Sequence, residues 1–215
     1  MNLILGVYSK FEPIIYDEVK SVIDNFSLKR NHILETAKKL ILACSNDSIY
    51  DTNLNITKKS KIISAVGGII VNCELGVKSL SKYKSTFNQL LCSELLIQKY
   101  LEIGATSFCK YDGEYTIALY DEEIDNLYLS NNEFGTFPLF IYNGDKHIIF
   151  SNEYEPILKY VKFDKRIEIN RVAELFLFGS TIGGKTFFPN INNLDPGSIL
   201  KIKCGTHSIE KQMKV

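Results

Sequence analysis

The stretch that most constrains the fold runs from Gly113 to Pro138, GEYTIALYDEEIDNLYLSNNEFGTFP. Tyr115–Tyr120 is almost wholly apolar or aromatic, as a strand covered on both faces must be. The polar run DEEIDN supplies a turn, and LYLSNN starts apolar and fades to polar at its exit, which predicts a second strand. A glycine–proline corner, Phe134-Gly135 to Pro138, closes the unit. Glu122, Glu123 and Asp125 sit close together, but within such a hairpin turn they read as solvated charges rather than a carboxylate dyad.

Around this centre, periodicity predicts a first strand at Leu3–Tyr8. Pro13 suits the first position of a helix carrying Ile14, Ile15, Val19, Val22, Ile23 and Phe26 at helical spacing. Arg30–Ile56 is ambiguous, because HILETAKKLILAC suits a helix or a strand. Ile62–Val71 reads as a strand broken by Gly67-Gly68, a pair that marks a bulge or a close backbone approach. Helices are expected at Asn72–Tyr83 and Cys92–Ile103, the second stopped by Gly104. Strands around Leu139–Tyr142 and His147–Ser151 flank the turn Asn143-Gly144-Asp145. Helices at Glu153–Tyr160 and Asn170–Phe178 follow, and a last strand, Ser198–Lys203, comes after Asp195-Pro196-Gly197. Several strands are apolar on both faces and helices fall between strand groups. That pattern gives an α+β fold, with two sheets packed together and helices outside.

A chain of 215 residues can bury one substantial core, so one domain spanning 1–215 is expected. Lys+Arg and Asp+Glu balance at 25 each, leaving no electrostatic footprint for nucleic acid or an anionic membrane. MNLILGVYSK has no basic n-region, and no stretch reaches the ~18 apolar residues of a membrane span. A cytoplasmic protein with neither nucleic-acid nor membrane partner is expected. Cys44, Cys73, Cys92, Cys109 and Cys204 are odd in number and lack C-x-x-C spacing, which suits buried thiols in a reducing compartment. The triplet Asn55-Ile56-Thr57 is then without consequence. His32, His147 and His207 lie far apart in sequence, so no metal is assigned, and no cofactor is expected.

Gly179–Thr186 satisfies the pattern G-x-x-x-x-G-K-[ST] of a P-loop. A working P-loop needs a strand before it and a helix after it, so that helix N-terminal amides hold phosphate. Here NRVAELFLF precedes it as an expected helix, and Pro189 would interrupt a helix that followed at once. The motif therefore reads as an ordinary loop.

The central motifs resemble those of asparagine synthetases. That family carries a strand ending in "ALYD", a second strand, then "LG..PL" and further on "ASE...L". Here these read Ala118–Asp121, Phe134-Gly135 with Pro138-Leu139, and Ser151-Asn152-Glu153 with Leu158. ISAVGGIIVN stands where the family has "AVNGEIYN", and the segment holding Glu94, Leu95 and Leu96 stands where it has "SDTEVIL". LFLFGSTIGGKTFFPNINNLDPGSIL is similar to "L..G.....T.F..I..L.PG..L". The resemblance spans nearly the whole chain, weakest between Phe26 and Lys61. It identifies the chain as a member of the amino-terminal class II glutamine amidotransferase domains. The fold this implies is the four-layer αββα sandwich of the N-terminal-nucleophile (Ntn) hydrolases.

The family's active-site motifs are altered here. In the family the mature chain begins with cysteine, in "MCGI.G", and its thiolate attacks the glutamine carbonyl with the α-amino group as base. This chain opens Met1-Asn2-Leu3-Ile4-Leu5-Gly6, so Gly6 holds the register and Asn2 takes the nucleophile position. A carboxamide is a poor nucleophile. The family's "NGE" becomes Gly67-Gly68-Ile69. That removes an oxyanion-hole amide, a donor worth about 10²–10³ in rate, and the carboxylate that meets the substrate's ammonium. The aspartate expected two residues before Glu94 is Cys92. The substrate-clamping arginine of "RGPD" has no counterpart, since Arg30 stands among unrelated residues. The resemblance thus implies a degenerate glutamine pocket at Gly67, Gly68 and Cys92, with no catalytic residue.

The synthetase signature "SGG.DS" is absent from the sequence, which ends at Val215 where that domain would begin. The expectation is a domain without glutaminase activity that supports amide-bond formation by a separately encoded ATP-dependent synthetase subunit, or that self-associates. The alternatives are a stand-alone non-catalytic binding or regulatory module, and a truncated remnant. A docking surface would show as exposed apolar residues. Phe176–Phe178 and Phe187-Phe188 are candidates for it, although core packing is the commoner fate of such residues.

Overall fold

A computed structural model describes residues 2–11, 13–14, 31–46, 56–70, 89–160, 166–203 and 206–211. The expected helices at 13–26 and 72–83 fall largely or wholly outside these residues.

Each strand alternates its side chains between two faces, and that alternation sorts the described core into three layers of contact. β1 (Asn2–Ser9), β2 (Asn31–Thr36), β3 (Leu40–Asn46), β8 (Phe140–Asn143), β9 (His147–Ser151) and β10 (Ile191–Asn193) form one sheet, in the order β10-β8-β9-β1-β3-β2. β4 (Ile56–Lys59), β5 (Ile62–Ile70), β6 (Gly113–Asp121), β7 (Asn126–Asn131), β11 (Ser198–Lys203) and β12 (Thr206–Lys211) form the other, in the order β12-β11-β7-β6-β5-β4. Ile4, Tyr8, Leu42 and Phe150 from the first sheet meet Ile63, Ala65, Tyr120 and Leu129 from the second in a shared central core. The outer face of the second sheet, through Val66, Ile70, Ile117 and Leu119, packs on Leu96, Ile97 and Tyr100 of α1 (Gln89–Ile103). The outer face of the first, through Leu5, Val7, Ile41 and Ile149, packs on Ile157 of α2 (Tyr154–Tyr160). Helix, sheet, sheet, helix is the αββα order that the family resemblance implies.

The unit from Gly113 to Pro138 folds as its pattern predicts. β6 and β7 pair antiparallel from Thr116↔Asn131 to Asp121↔Asn126, and every residue of β7 is buried. The ambiguous HILETAKKLILAC is a hairpin, closed by the Ala37 N–H donating to the Leu40 carbonyl at 2.8 Å. Leu40–Cys44 is buried without a break, Leu40, Leu42 and Cys44 facing inward and Ile41 and Ala43 outward. A helix would bury one stripe of that run, whereas a strand inside a sandwich buries all of it. Ser198–Lys203 is not the last strand, because β12 pairs with it along its whole length. THSIEK lacks the apolar run of a central strand, and β12 stands at the sheet's edge, where such sequences are tolerated. β4 and β10 also escape sequence reading, being short edge strands with one buried residue each.

α1 ends at Gly104, as the sequence predicts, with the Gly104 N–H donating to the Tyr100 carbonyl at 2.8 Å. A further helix, α3 (Ile169–Phe178), buries none of its residues. No described helix is long and apolar enough to cross a membrane.

Candidate functional site

β1 runs through the middle of its sheet, between β3 and β9, and Asn2 lies at its start, paired with Asn46. One motif residue fixes this end of the strand, and a second shapes the corner beside it. The buried Ile4 N–H donates to Asn152 Oδ1 at 2.8 Å, so the asparagine of Ser151-Asn152-Glu153 anchors β1 to the turn after β9. Asn132 builds the glycine–proline corner: its carbonyl accepts from Gly135 and Gly197 N–H, and its Nδ2 donates to Thr136 Oγ1 at 2.8 Å. The corner carries Phe137 into the protein, where it is buried.

Gly67 lies across the sandwich from this strand end, on the inner face shared with Ile63 and Ala65. A Cβ at Gly67 would stand 2.9 Å from Ile4 Cδ1, 3.0 Å from Thr116 Oγ1 and 3.1 Å from Phe137 Cε1. A Cβ there is therefore tight, and its neighbours would have to give by a few tenths of an ångström, Ile4 through the flexible end of its side chain. Gly68 has φ +87°, and a Cβ there would collide with the Glu114 carbonyl oxygen of β6. Glycine is demanded at that position by both backbone conformation and space. The polar atoms Thr116 Oγ1 and Asn131 Oδ1, on paired residues of β6 and β7, are buried at this end.

The fold thus brings the Asn2 end of β1 and Gly67-Gly68 together. Cys92 is buried on α1, which packs on the outer face of the second sheet; its neighbour Ser93 accepts from Ser64 Oγ through its carbonyl at 2.9 Å. Gly67 faces the opposite way. Ile69 pairs with Glu114 in the β5–β6 ladder, and Arg30 lies outside the described residues. One neighbour of this strand end escapes sequence reading. Cys44 sits directly opposite Ile4 on β3, facing the central core. Burial pushes its pKa up to about 12, so the thiol stays protonated at neutral pH.

At the other end of β1, ~20 Å along the strand from Asn2, four side chains tie the two sheets. Asp125 Oδ1 accepts from Tyr8 Oη and Tyr120 Oη, both at 3.0 Å, and Lys39 Nζ reaches Oδ2 at 2.7 Å. The rings of Tyr8 and Tyr120 meet edge to face with centroids 5.8 Å apart. Burial pushes the Asp125 pKa up, but the hydrogen bonds from Lys39, Tyr120 and Tyr8 outweigh it and hold the carboxyl below its ordinary value. Asp125 is therefore not the solvated turn charge that its sequence context suggests, although exposed Glu123 is one. No dyad forms here: the second anion is replaced by a cation and two hydroxyls.

Near this end, between β8–β9 and β11, lies a cavity of about 260 Å³. Ile141, Ile148, Leu200 and Ile202 form its walls, and Asn143 and Asp195 stand among its polar lining. Ile148 pairs with Tyr8, and Ile202 with Leu127, so the cavity is remote from Asn2 and Gly67.

Residues 33–213 match the family model described as a glutamine amidotransferase domain. The chain belongs to the glutamine amidotransferase domain family. Asparagine synthetase [glutamine-hydrolyzing] 2 of Bacillus subtilis (strain 168) is 24% identical over 157 residues, covering 71% of this chain and 21% of that protein. The solved glutamine phosphoribosylpyrophosphate amidotransferase of B. subtilis, complexed with ADP and GMP, superposes with a TM-score of 0.60 at 12% identity. The match covers 99% of this chain and 50% of that one. A second structure, described as the allosteric regulatory enzyme of purine biosynthesis, gives 0.61 at 13% identity with the same coverage, 99% and 50%. The amidotransferase domain thus spans about a fifth of its curated relative and half of each solved one. Their likeness establishes the Ntn-type sandwich.

Within this amidotransferase domain the P-loop-like motif is a connecting loop. α3 precedes it and ends at Gly179, whose φ of 77° and N–H to the Leu175 carbonyl close the helix. Lys185 then bridges to Asn192, and the chain enters β10 rather than a helix, so the helix N-terminus that a phosphate site needs does not follow the loop.

Proposed function

We propose that this amidotransferase domain, a single unit over residues 1–215, has lost glutaminase activity. It supports ATP-dependent amide-bond formation by a separately encoded synthetase subunit. The observation that carries the reading is the crowding of the inner face at Gly67. Ile4, Thr116 and Phe137 stand within 3.1 Å of where a Cβ at Gly67 would lie, which crowds an oxyanion-hole side chain at that position. Asn2 at the nucleophile position supplies no thiolate, and buried Cys44 offers none in its place. Three separate requirements of glutamine hydrolysis, namely a nucleophile, an oxyanion donor and an ammonium partner, are thus unmet together. What remains is the folded scaffold, related to a domain that in asparagine synthetase [glutamine-hydrolyzing] 2 occupies a small part of a larger chain.

Ammonia release from glutamine tests the catalytic half. Purified protein stays at background, and Asn2→Cys alone does not rescue it. Release that persists in Asn2→Ala would reveal a nucleophile elsewhere and overturn the reading. Co-expression with a neighbouring synthetase that lacks an amidotransferase half tests the partner. A stable complex is expected, and failure to bind every such synthetase would promote the second reading. That reading, a stand-alone binding module, is favoured by the cavity between β8–β9 and β11.

A further inference from the structure

The cavity between β8–β9 and β11 reaches into the central core. Ile141 and Ile148 of the first sheet and Leu200 and Ile202 of the second belong to that core and wall the cavity. So does Leu194, on the segment joining β10 to β11. Packed interiors leave few voids larger than a water molecule, whereas this one measures about 260 Å³. A cavity of about 150 Å³ lined by such side chains takes up benzene, so the fitting occupant here has on the order of ten non-hydrogen atoms. The mouth is polar. Asn143, Asn192 and Asn193 line it beside Asp195 and Gly183, the last from the loop after α3. It is also held in place. Asn193 Oδ1 accepts from the Leu139 N–H at 3.2 Å, and the Asn193 N–H donates to the Gly184 carbonyl at 2.6 Å. The Asp195 carbonyl accepts from Ser198 Oγ at 2.6 Å. Gly184 has φ +68°, and a Cβ there would stand 2.8 Å from the Asn193 carbonyl oxygen and 3.1 Å from Asp195 Oδ1. Glycine therefore lets the loop lie against the carboxylate, and the P-loop-like motif forms one lip of the cavity.

We infer that this cavity binds a small primary amine, an apolar body of about ten non-hydrogen atoms carrying one ammonium group. The body takes the place of water against five aliphatic side chains, which is favourable in proportion to the area covered. Charge selects the head group. Among the described lining residues Asp195 alone ionises, and exposed Lys185 of the same loop is not one of them. A carboxylate beside three carboxamides attracts an ammonium group and opposes a carboxylate or phosphate. The polar mouth and apolar floor are the division of labour of small-molecule sites in general. The inference goes beyond the loss of glutaminase activity and does not depend on it, since ammonia release and amine binding are measured separately.

Calorimetric titration of the full chain with phenethylamine, phenethyl alcohol and phenylacetate tests it. The amine should bind saturably with a Kd below about 1 mM, and the alcohol about 5-fold more weakly. Phenylacetate should not bind. Asp195→Asn should bring the amine down to the affinity of the alcohol and leave the alcohol unchanged. Leu200→Phe, which adds bulk to the wall, should abolish binding of both while circular dichroism stays that of a folded protein. Absence of saturable amine binding, equal affinity for amine and alcohol in the wild-type chain, or binding that Leu200→Phe leaves intact overturns the proposal. Methyl chemical shifts of the wild-type chain keep the test valid if that variant fails to fold. The amine should move the methyls of Ile141, Ile148, Leu200 and Ile202, and shifts confined to other methyls also overturn it.

Discussion

Gly67 and Gly68 show how much two adjacent residues can decide, and for different reasons. Gly68 is fixed by its φ of +87° and by the Glu114 carbonyl oxygen, which leaves no place for a Cβ. Gly68→Val is expected to destabilise by about 1–3 kcal/mol from strain alone, read as a lowered denaturation midpoint. Gly67 is limited by packing instead, since a Cβ there would find Ile4, Thr116 and Phe137 atoms at 2.9, 3.0 and 3.1 Å. Gly67→Asn, the residue that the resemblance implies at this position, should cost about 1–3 kcal/mol through overpacking and return no ammonia release. Combining it with Ile4→Val, which removes the Cδ1 atom nearest the added Cβ, should cost less than the sum of the two single changes. An additive double mutant would mean that the side chain turns elsewhere. The sequence marks this pair as special, but which neighbour excludes a side chain is visible only when β1, β6 and the Phe137 corner are assembled around it.

Among the elements, the turn between β6 and β7 does more than reverse the chain. Asp125 sits in it at φ 51° and receives Tyr8 and Lys39 from the first sheet as well as Tyr120 from its own. Its folded pKa is held below the unfolded value of about 3.9. A depressed carboxyl contributes stability that is present above the unfolded pKa and is lost as pH falls through the folded one. Asp125→Asn should therefore be less stable than wild type at pH 7, with the gap closing as pH falls below about 4. Denaturation midpoints of both proteins between neutral and strongly acid pH check this; a gap that does not narrow would mean the cluster acts through packing alone. The hairpin itself was legible, because an apolar run, a polar turn and a second apolar run admit few alternatives. The clamp was not, because Tyr8, Lys39 and Asp125 are distant in sequence and their meeting depends on how two sheets stack.

At the scale of the whole molecule, the central core draws on both sheets, so neither can keep its inner face covered alone. Calorimetry should show one cooperative transition, with calorimetric and van't Hoff enthalpies equal; two separable transitions would divide the chain into independent units. The sequence by itself determined the fold class and the family. Strands apolar on both faces must be covered on both faces, and the spacing of the central motifs resembles that of the asparagine synthetase amidotransferase domain. Tertiary structure decided the rest: that HILETAKKLILAC is two strands, that Cys44 lies opposite Ile4 yet is too deeply buried to ionise, and that Phe176–Phe178 stand in water rather than in the core. The physical reason is the same in each case. Local pattern records what a residue prefers, whereas burial, pKa and closeness belong to neighbours that the chain brings together only when it folds.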